Sequence, residues 1–153
     1  MSRVYVDTSV LAKRYLRGPA SDDVDDWLDE PSLRFLVSDL VVVELESVVA
    51  RRARELQGGL DRSRVRLRID DDMRSGFFAV HALDTSVLIS ARRLIAEGPP
   101  LATLDALHLA SAIDGGADVL ATDDRQLARA ALDVGMQIKT FFGQESAQKG
   151  SKP

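Results

Sequence analysis

Val4-Tyr5-Val6-Asp7-Thr8-Ser9 is a short apolar run of β-prone residues that ends in three residues favoured at helix N-termini. Val10, Leu11 and Tyr15 follow at helical spacing, so the stretch reads as a strand feeding a helix. The pattern recurs at Phe35-Leu36-Val37, where Ser38-Asp39 caps a helix over residues 40–56 that Gly58-Gly59 stops. Residues 77–83 give a third strand, Asp84 caps a helix to Ile95, and Gly98-Pro99-Pro100 breaks the chain before Thr103 caps a helix to Ile113. Val119-Leu120-Ala121 is a fourth strand, Thr122-Asp123-Asp124 a cap, residues 126–132 a helix, and residues 136–142 a fifth strand.

Two further stretches fill the gaps. Ser21 opens an acidic amphipathic helix to Glu30, with Val24, Trp27 and Leu28 on one face. Over residues 61–73, alternation through Val65, Leu67 and Ile69 competes with the four-residue recurrence of Val65, Ile69 and Met73, and helix is the preferred reading. Strands and helices that alternate in this way predict an α/β fold with a mainly parallel five-stranded sheet covered on both faces. Ligands of such sheets bind beyond the carboxyl ends of the strands. The expected layout is one domain over residues 1–142 and a polar, disordered tail over residues 143–153.

Composition narrows the chemistry. The 153 residues are 45% hydrophobic and 29% charged, as in an ordinary folded protein. With no cysteine, disulfides and thiolate metal sites are excluded, and a metal would need oxygen donors or the two histidines. Neither a signal peptide nor a membrane-spanning run is present, so the expected location is cytoplasmic, with no membrane partner. A net charge of −4 argues against gripping nucleic acid by bulk electrostatics, leaving local or metal-mediated contact.

The acids are the informative residues. Asp7 ends the first strand, and Asp123 and Asp124 end the fourth, so a parallel sheet gathers all three on one edge. Glu44 lies four residues from Leu40 and from Val48, and Asp105 four from Leu101 and Leu109, which sets both carboxylates on apolar helical faces. Taken singly, the aspartates read as helix caps or first-turn acids, and Glu44 as a bridge to Arg51 or another arginine. Taken together, acids from four segments repel one another unless a divalent cation neutralises them. Oxygen donors of this kind suit Mg²⁺ or Mn²⁺, and hydrolysis of phosphodiesters is a common use of such sites.

Four blocks carry a family resemblance: Val4-Tyr5-Val6-Asp7-Thr8-Ser9, Ser38-Asp39-Leu40-Val41-Val42-Val43-Glu44, Leu104-Asp105-Ala106-Leu107-His108-Leu109-Ala110 and Leu120-Ala121-Thr122-Asp123-Asp124-Arg125. In order and spacing the chain resembles the PIN-domain ribonucleases, and among them the VapC toxins of bacterial toxin–antitoxin pairs. The resemblance implies a three-layer α/β/α sandwich and a Mg²⁺-dependent endoribonuclease that leaves a 5′-phosphate. It also implies RNA as substrate, a homodimer, and a cognate antitoxin as inhibitor. Residue by residue, it makes Asp7 and Asp105 metal ligands, Glu44 a ligand or the orienter of the attacking water, and Asp124 the fourth acid, with Asp123 as the alternative. Thr8 and Ser9 would sit beside the metal. Some relatives carry a further acid where this chain has Gln126.

Other residues carry weaker signals. Arg14, Arg17, Arg51, Arg52 and Arg54 are candidates to guide RNA phosphates, though solvated helix faces are the commoner explanation. Arg62, Arg64, Arg66 and Arg68 suggest a patch facing RNA or a partner, offset by Asp70-Asp71-Asp72. His108 reads as a lone core histidine, and His81 receives no role because no acid lies near it in sequence. Rival readings are weaker. A haloacid-dehalogenase-type phosphohydrolase needs Asp-x-Asp after the first strand, where Ser9 stands here. A receiver domain is suggested by Asp84 and Lys139 but lacks an acidic pair at the first strand. A catalytically dead RNA-binding or scaffold module does not account for an intact set of acids.

Overall fold

The computed structural model describes residues 1–142, and the tail expected to be disordered lies outside the described residues. The elements run β1 (Ser2–Val6), α1 (Thr8–Tyr15), α2 (Ser21–Leu28), β2 (Leu33–Ser38), α3 (Leu40–Glu55), α4 (Arg62–Arg74), β3 (Ala79–His81), α5 (Thr85–Glu97), α6 (Thr103–Asp114), β4 (Val119–Ala121), α7 (Arg125–Asp133) and β5 (Gln137–Lys139). The strands lie in the order β3-β2-β1-β4-β5, and every pairing is parallel. A wholly parallel sheet must be covered on both faces, and the pleat of β1 shows how. Val4 and Val6 join Phe35 and Val37 in one core with residues of α1, α2, α3 and α4. Tyr5, Leu36 and Leu120 turn the other way, against α6 and α7. The expected sandwich is therefore present, with α5 outside it, packed on α6 through Val87, Ala91, Ala106 and Ala110.

The chain leaves β1 toward β2 and β3, then returns to lay β4 on the opposite side of β1. The strand order thus reverses between β1 and β4, and the crevice above their carboxyl ends is where such folds hold ligands. Asp7 comes directly after β1, and the pair Asp123-Asp124 follows β4 after Thr122.

Several local expectations are corrected. The third and fifth strands are three residues each, where seven were expected over residues 77–83 and 136–142. Both lie at an edge of the sheet with a ladder partner on one side only, and apolar residues beside them, Phe78, Met136 and Phe141, are buried by packing rather than by pairing. Asp39 holds the N-cap position of α3 but makes no side-chain capping bond; its carboxylate accepts from the Leu83 amide at 3.1 Å, while Ser38 Oγ accepts from the Leu40 amide at 3.2 Å. Thr103 is the first helical residue rather than the cap, which falls to Ala102. The left-handed turn that ends α3 begins one residue early, at Gln57 (φ 46°) and Gly58 (φ 90°). In the ambiguous stretch the four-residue period prevails. Ile69 is buried and Val65 and Met73 pack on the core, whereas Leu67 is 62% exposed.

Candidate active site

The crevice is built from β1 upward. The Asp7 amide donates to the Ala121 carbonyl at 2.9 Å, which locks the end of β1 to β4. Asp7 is 5% exposed, and its Oδ2 accepts from Thr122 Oγ1 at 2.7 Å and from Ser9 Oγ at 2.8 Å. Its occupancy of the first N-cap is positional only, because the carboxylate makes no capping bond. From α3, Glu44 Oε1 accepts from Thr8 Oγ1 at 2.8 Å and from His108 Nε2. Asp105 comes from the first turn of α6, and Asp124 from the cap of α7, where its Oδ1 accepts from the Leu127 amide at 2.9 Å. Asp7, Thr8, Ser9, Glu44, Asp105 and Asp124 line one cavity of about 360 Å³, together with Ala12, Val48 and Arg51.

The electrostatics of this cavity are lopsided. Burial, then the charges of Asp124 and Asp7, push the Asp105 carboxyl up to about 6, and nearby His108 does not compensate. Among the described residues, Asp105 has no hydrogen-bond or ion-pair partner. Burial is the largest influence on Glu44 and would raise it, yet the hydrogen bond and charge of His108 with the Thr8 hydroxyl hold it below its usual value. For His108, burial would lower proton affinity, but Glu44, Asp7 and Asp105 together raise it.

The model of the PIN domain family matches residues 4–132. The chain belongs to the PIN-domain family. This PIN domain is 31% identical over 133 residues to ribonuclease VapC35 of Mycobacterium tuberculosis, an overlap covering 84% of this chain and 89% of that one. Its fold is similar to that of VapC20 of Mycobacterium tuberculosis, a toxin that cleaves the sarcin–ricin loop, with a TM-score of 0.66, 18% identity, and 83% and 94% of the two chains covered. It is also similar to FitAcB from Neisseria gonorrhoeae, with a TM-score of 0.60, 20% identity, and 88% and 95% covered.

Within this PIN domain the neighbouring aspartates separate. Asp123 does not line the cavity: its Oδ1 accepts from the Phe141 and Phe142 amides at 2.6 and 3.0 Å, and its Oδ2 meets Lys13. It ties α1 to the segment after β5. Among the described residues, no three histidine or acidic side chains already converge closely enough to hold a metal ion. The donor set nevertheless suits a hard cation. It offers oxygen donors, the four carboxylates beside the Thr8 and Ser9 hydroxyls, and among the described residues Asp105 is left without a partner in a half-buried acidic crevice.

His108 is a core histidine, 1% exposed, but not a lone one. Its Nδ1 is 2.7 Å from the Tyr5 hydroxyl, and its Nε2 contacts Glu44 and lies 3.5 Å from Asp7 Oδ1. One signal was available in sequence: at Asp105 plus three, His108 shares a helical face with an acid of the site. His81, given no role, meets Asp114 at 2.8 Å, and Ser86 donates to the same carboxylate at 3.1 Å. This cluster joins β3, α5 and α6 away from the cavity.

Most of the arginines are committed elsewhere. Arg14 binds Asp72 at 2.8 Å, Arg17 binds Asp25 at 2.6 Å, Arg62 and Arg66 share Glu46, and Arg52 lies 3.6 Å from Glu55. Arg51 lines the acidic cavity instead of bridging Glu44. Asp84 caps α5 by accepting from the Val87 amide at 3.1 Å, and it follows an edge strand rather than facing Asp7, which removes the receiver reading. No helix of the described residues is long and apolar enough to cross a membrane.

Proposed function

We propose that this PIN domain is a Mg²⁺- or Mn²⁺-dependent endoribonuclease and the toxin of a type II toxin–antitoxin pair. The observation that carries the reading is Asp105: a half-buried carboxylate with no partner among the described residues, facing Asp7, Glu44 and Asp124 across one cavity. A carboxyl raised to about 6 costs folding stability at neutral pH, and a bound cation offsets that cost.

Asp7, Asp105 and Asp124 are the proposed ligands, with Glu44 as a further ligand or as the group that orients water; Asp123 is too fully engaged to substitute. A divalent cation bound there would supply charge neutralisation and Lewis acidity for the phosphodiester. Thr122 and Ser9 occupy Asp7 Oδ2, leaving Oδ1 toward His108. Thr8 and His108 occupy Glu44 Oε1, leaving Oε2 to hold the attacking water and take its proton. Water adds to phosphorus and the bond to the 3′ oxygen breaks; the departing oxygen takes a proton from solvent, giving a 5′-phosphate and a 3′-hydroxyl. Arg51 contributes the cationic side chain of the cavity wall and contacts a substrate phosphate.

The relationship to ribonuclease VapC35 supports RNA as substrate, and the likeness to VapC20 supports a toxin. A cognate antitoxin that silences the site and a homodimer complete the proposal. The test is cleavage of a pool of structured RNAs by the full chain with Mg²⁺, Mn²⁺ or excess chelator, beside Asp7→Asn and Asp105→Asn. Metal-dependent cutting lost in both variants supports the reading; cutting that survives chelation and both substitutions overturns it.

A further inference from the structure

We propose that Tyr5 and His108 are a buried positioning pair that fixes the Glu44 carboxylate in the cavity, an inference that rests on the nuclease reading above. Tyr5 is fully buried on β1 and His108 nearly so on α6. The Tyr5 hydroxyl meets His108 Nδ1 at 2.7 Å, His108 Nε2 meets Glu44 Oε1, and Thr8 Oγ1 donates to the same oxygen at 2.8 Å. α6 and α1 thus meet directly at one carboxylate oxygen carried by α3, and β1 reaches it through His108.

The direction of the chain of bonds follows from what each group is able to do. An ionised carboxylate only accepts, so Nε2 carries a hydrogen toward Glu44. Nδ1 then accepts from the Tyr5 hydroxyl in the neutral ring, or donates to its oxygen in the imidazolium. In both states a ring turned over by half a turn would present carbon to both partners. Tyr5 therefore sets the orientation of the imidazole, and the imidazole sets that of Glu44. The rings also meet edge to face, with centroids 5.8 Å apart, which leaves the imidazole little room to tilt. With Oε1 held at two points, Oε2 is presented to the cavity in one rotamer. Partners that orient the residues of a metal site commonly change affinity or rate by about 10- to 100-fold when removed.

Tyr5→Phe removes the hydroxyl and keeps the ring. The measurements are single-turnover RNA cleavage, with rate and KM separated, in wild type, Tyr5→Phe, Glu44→Gln and the double variant, and ¹⁵N NMR of His108 in the metal-free protein. The expected result is a rate about tenfold lower in Tyr5→Phe with KM unchanged, and no further loss when Tyr5→Phe is added to Glu44→Gln. The NMR spectrum of wild type should show hydrogen on Nε2, with the His108 signals displaced in Tyr5→Phe. His108→Gln, which keeps an N–H donor, should retain more activity than His108→Leu at matched melting temperature. Unchanged rates in Tyr5→Phe, or losses that multiply in the double variant, would overturn the pair. A wild type that cleaves no RNA counts against the nuclease reading. The NMR experiment then decides the pair alone: displaced His108 signals support it and unmoved ones reject it.

Discussion

Two groups of acids in this molecule are treated in opposite ways. Away from the cavity, partly exposed Glu46 is gripped by Arg66 and Arg62, whose hydrogen bonds hold its carboxyl down at about 2, and part-buried Asp72 accepts from both Arg14 and Tyr15. Two residues before Glu46 on the same helix, Glu44 points into a cavity whose acids outnumber its single arginine, and there Asp105 is pushed up to about 6. The acids outside the cavity bring their counter-charge with them. Those of the cavity are left short of positive charge, a deficit that protonation of Asp105 or a bound cation would relieve.

The largest expected effect comes from removing that deficit. Asp7→Asn or Asp105→Asn should lower RNA cleavage by on the order of 1,000-fold in Mg²⁺, measured under single-turnover conditions, because the amide keeps volume and loses charge. Second, chelation should abolish cleavage, and Mn²⁺ at about 100 times its dissociation constant should stabilise the chelator-treated protein by about 2.7 kcal/mol in thermal melting. A metal-free protein as active and as stable as the loaded one would end the distinction between the two groups of acids.

The third prediction concerns pH. The folded Asp105 carboxyl lies at about 6, above its ordinary 3.8. Its contribution to stability is therefore fully present below the unfolded value and is lost as pH rises through about 6. In the absence of metal, Asp105→Asn should escape this loss and melt a few degrees higher than wild type at pH 7.5, about 1 kcal/mol after allowance for solvent screening, with the gap closing below about pH 4. A variant less stable than wild type at pH 7.5 would show that Asp105 has a partner in solution. The smallest effect is expected at Glu46→Gln, which should leave cleavage and Mn²⁺ affinity within about twofold of wild type, because exposed ion pairs contribute little.

The parallel sheet and the edge that carries the site were legible in Val4-Tyr5-Val6-Asp7 and Leu120-Ala121-Thr122-Asp123-Asp124, because an apolar run followed by capping residues records both a strand and its direction; the order of the strands in the sheet was not. Glu44 and Asp105 were legible as acids on apolar faces. The side-chain partnerships were not. Asp123 and Asp124 are adjacent, yet one is taken up by Lys13 and two amides while the other lines the cavity, and the backbone direction that separates them leaves no trace in residue type. His108 looked solitary because Tyr5 and Glu44 lie on other elements, and His81 did so because Asp114 is 33 residues away. The edge strands were overread for a different reason. Phe78 and Phe141 are apolar because they are buried, and burial does not require a ladder partner.

The cavity draws its acids from β1, α3, α6 and α7 in a sheet whose last central strand is β4. During synthesis, Asp7 and Glu44 emerge early, but no chain halted before Asp124 contains the full set. The long-range parallel pairing of β1 with β4 must also close before the crevice exists, and such pairing is slow compared with the formation of a helix. Nascent and truncated forms of this protein are therefore expected to be harmless to RNA, and a cell making it gains an interval between translation and the first cut.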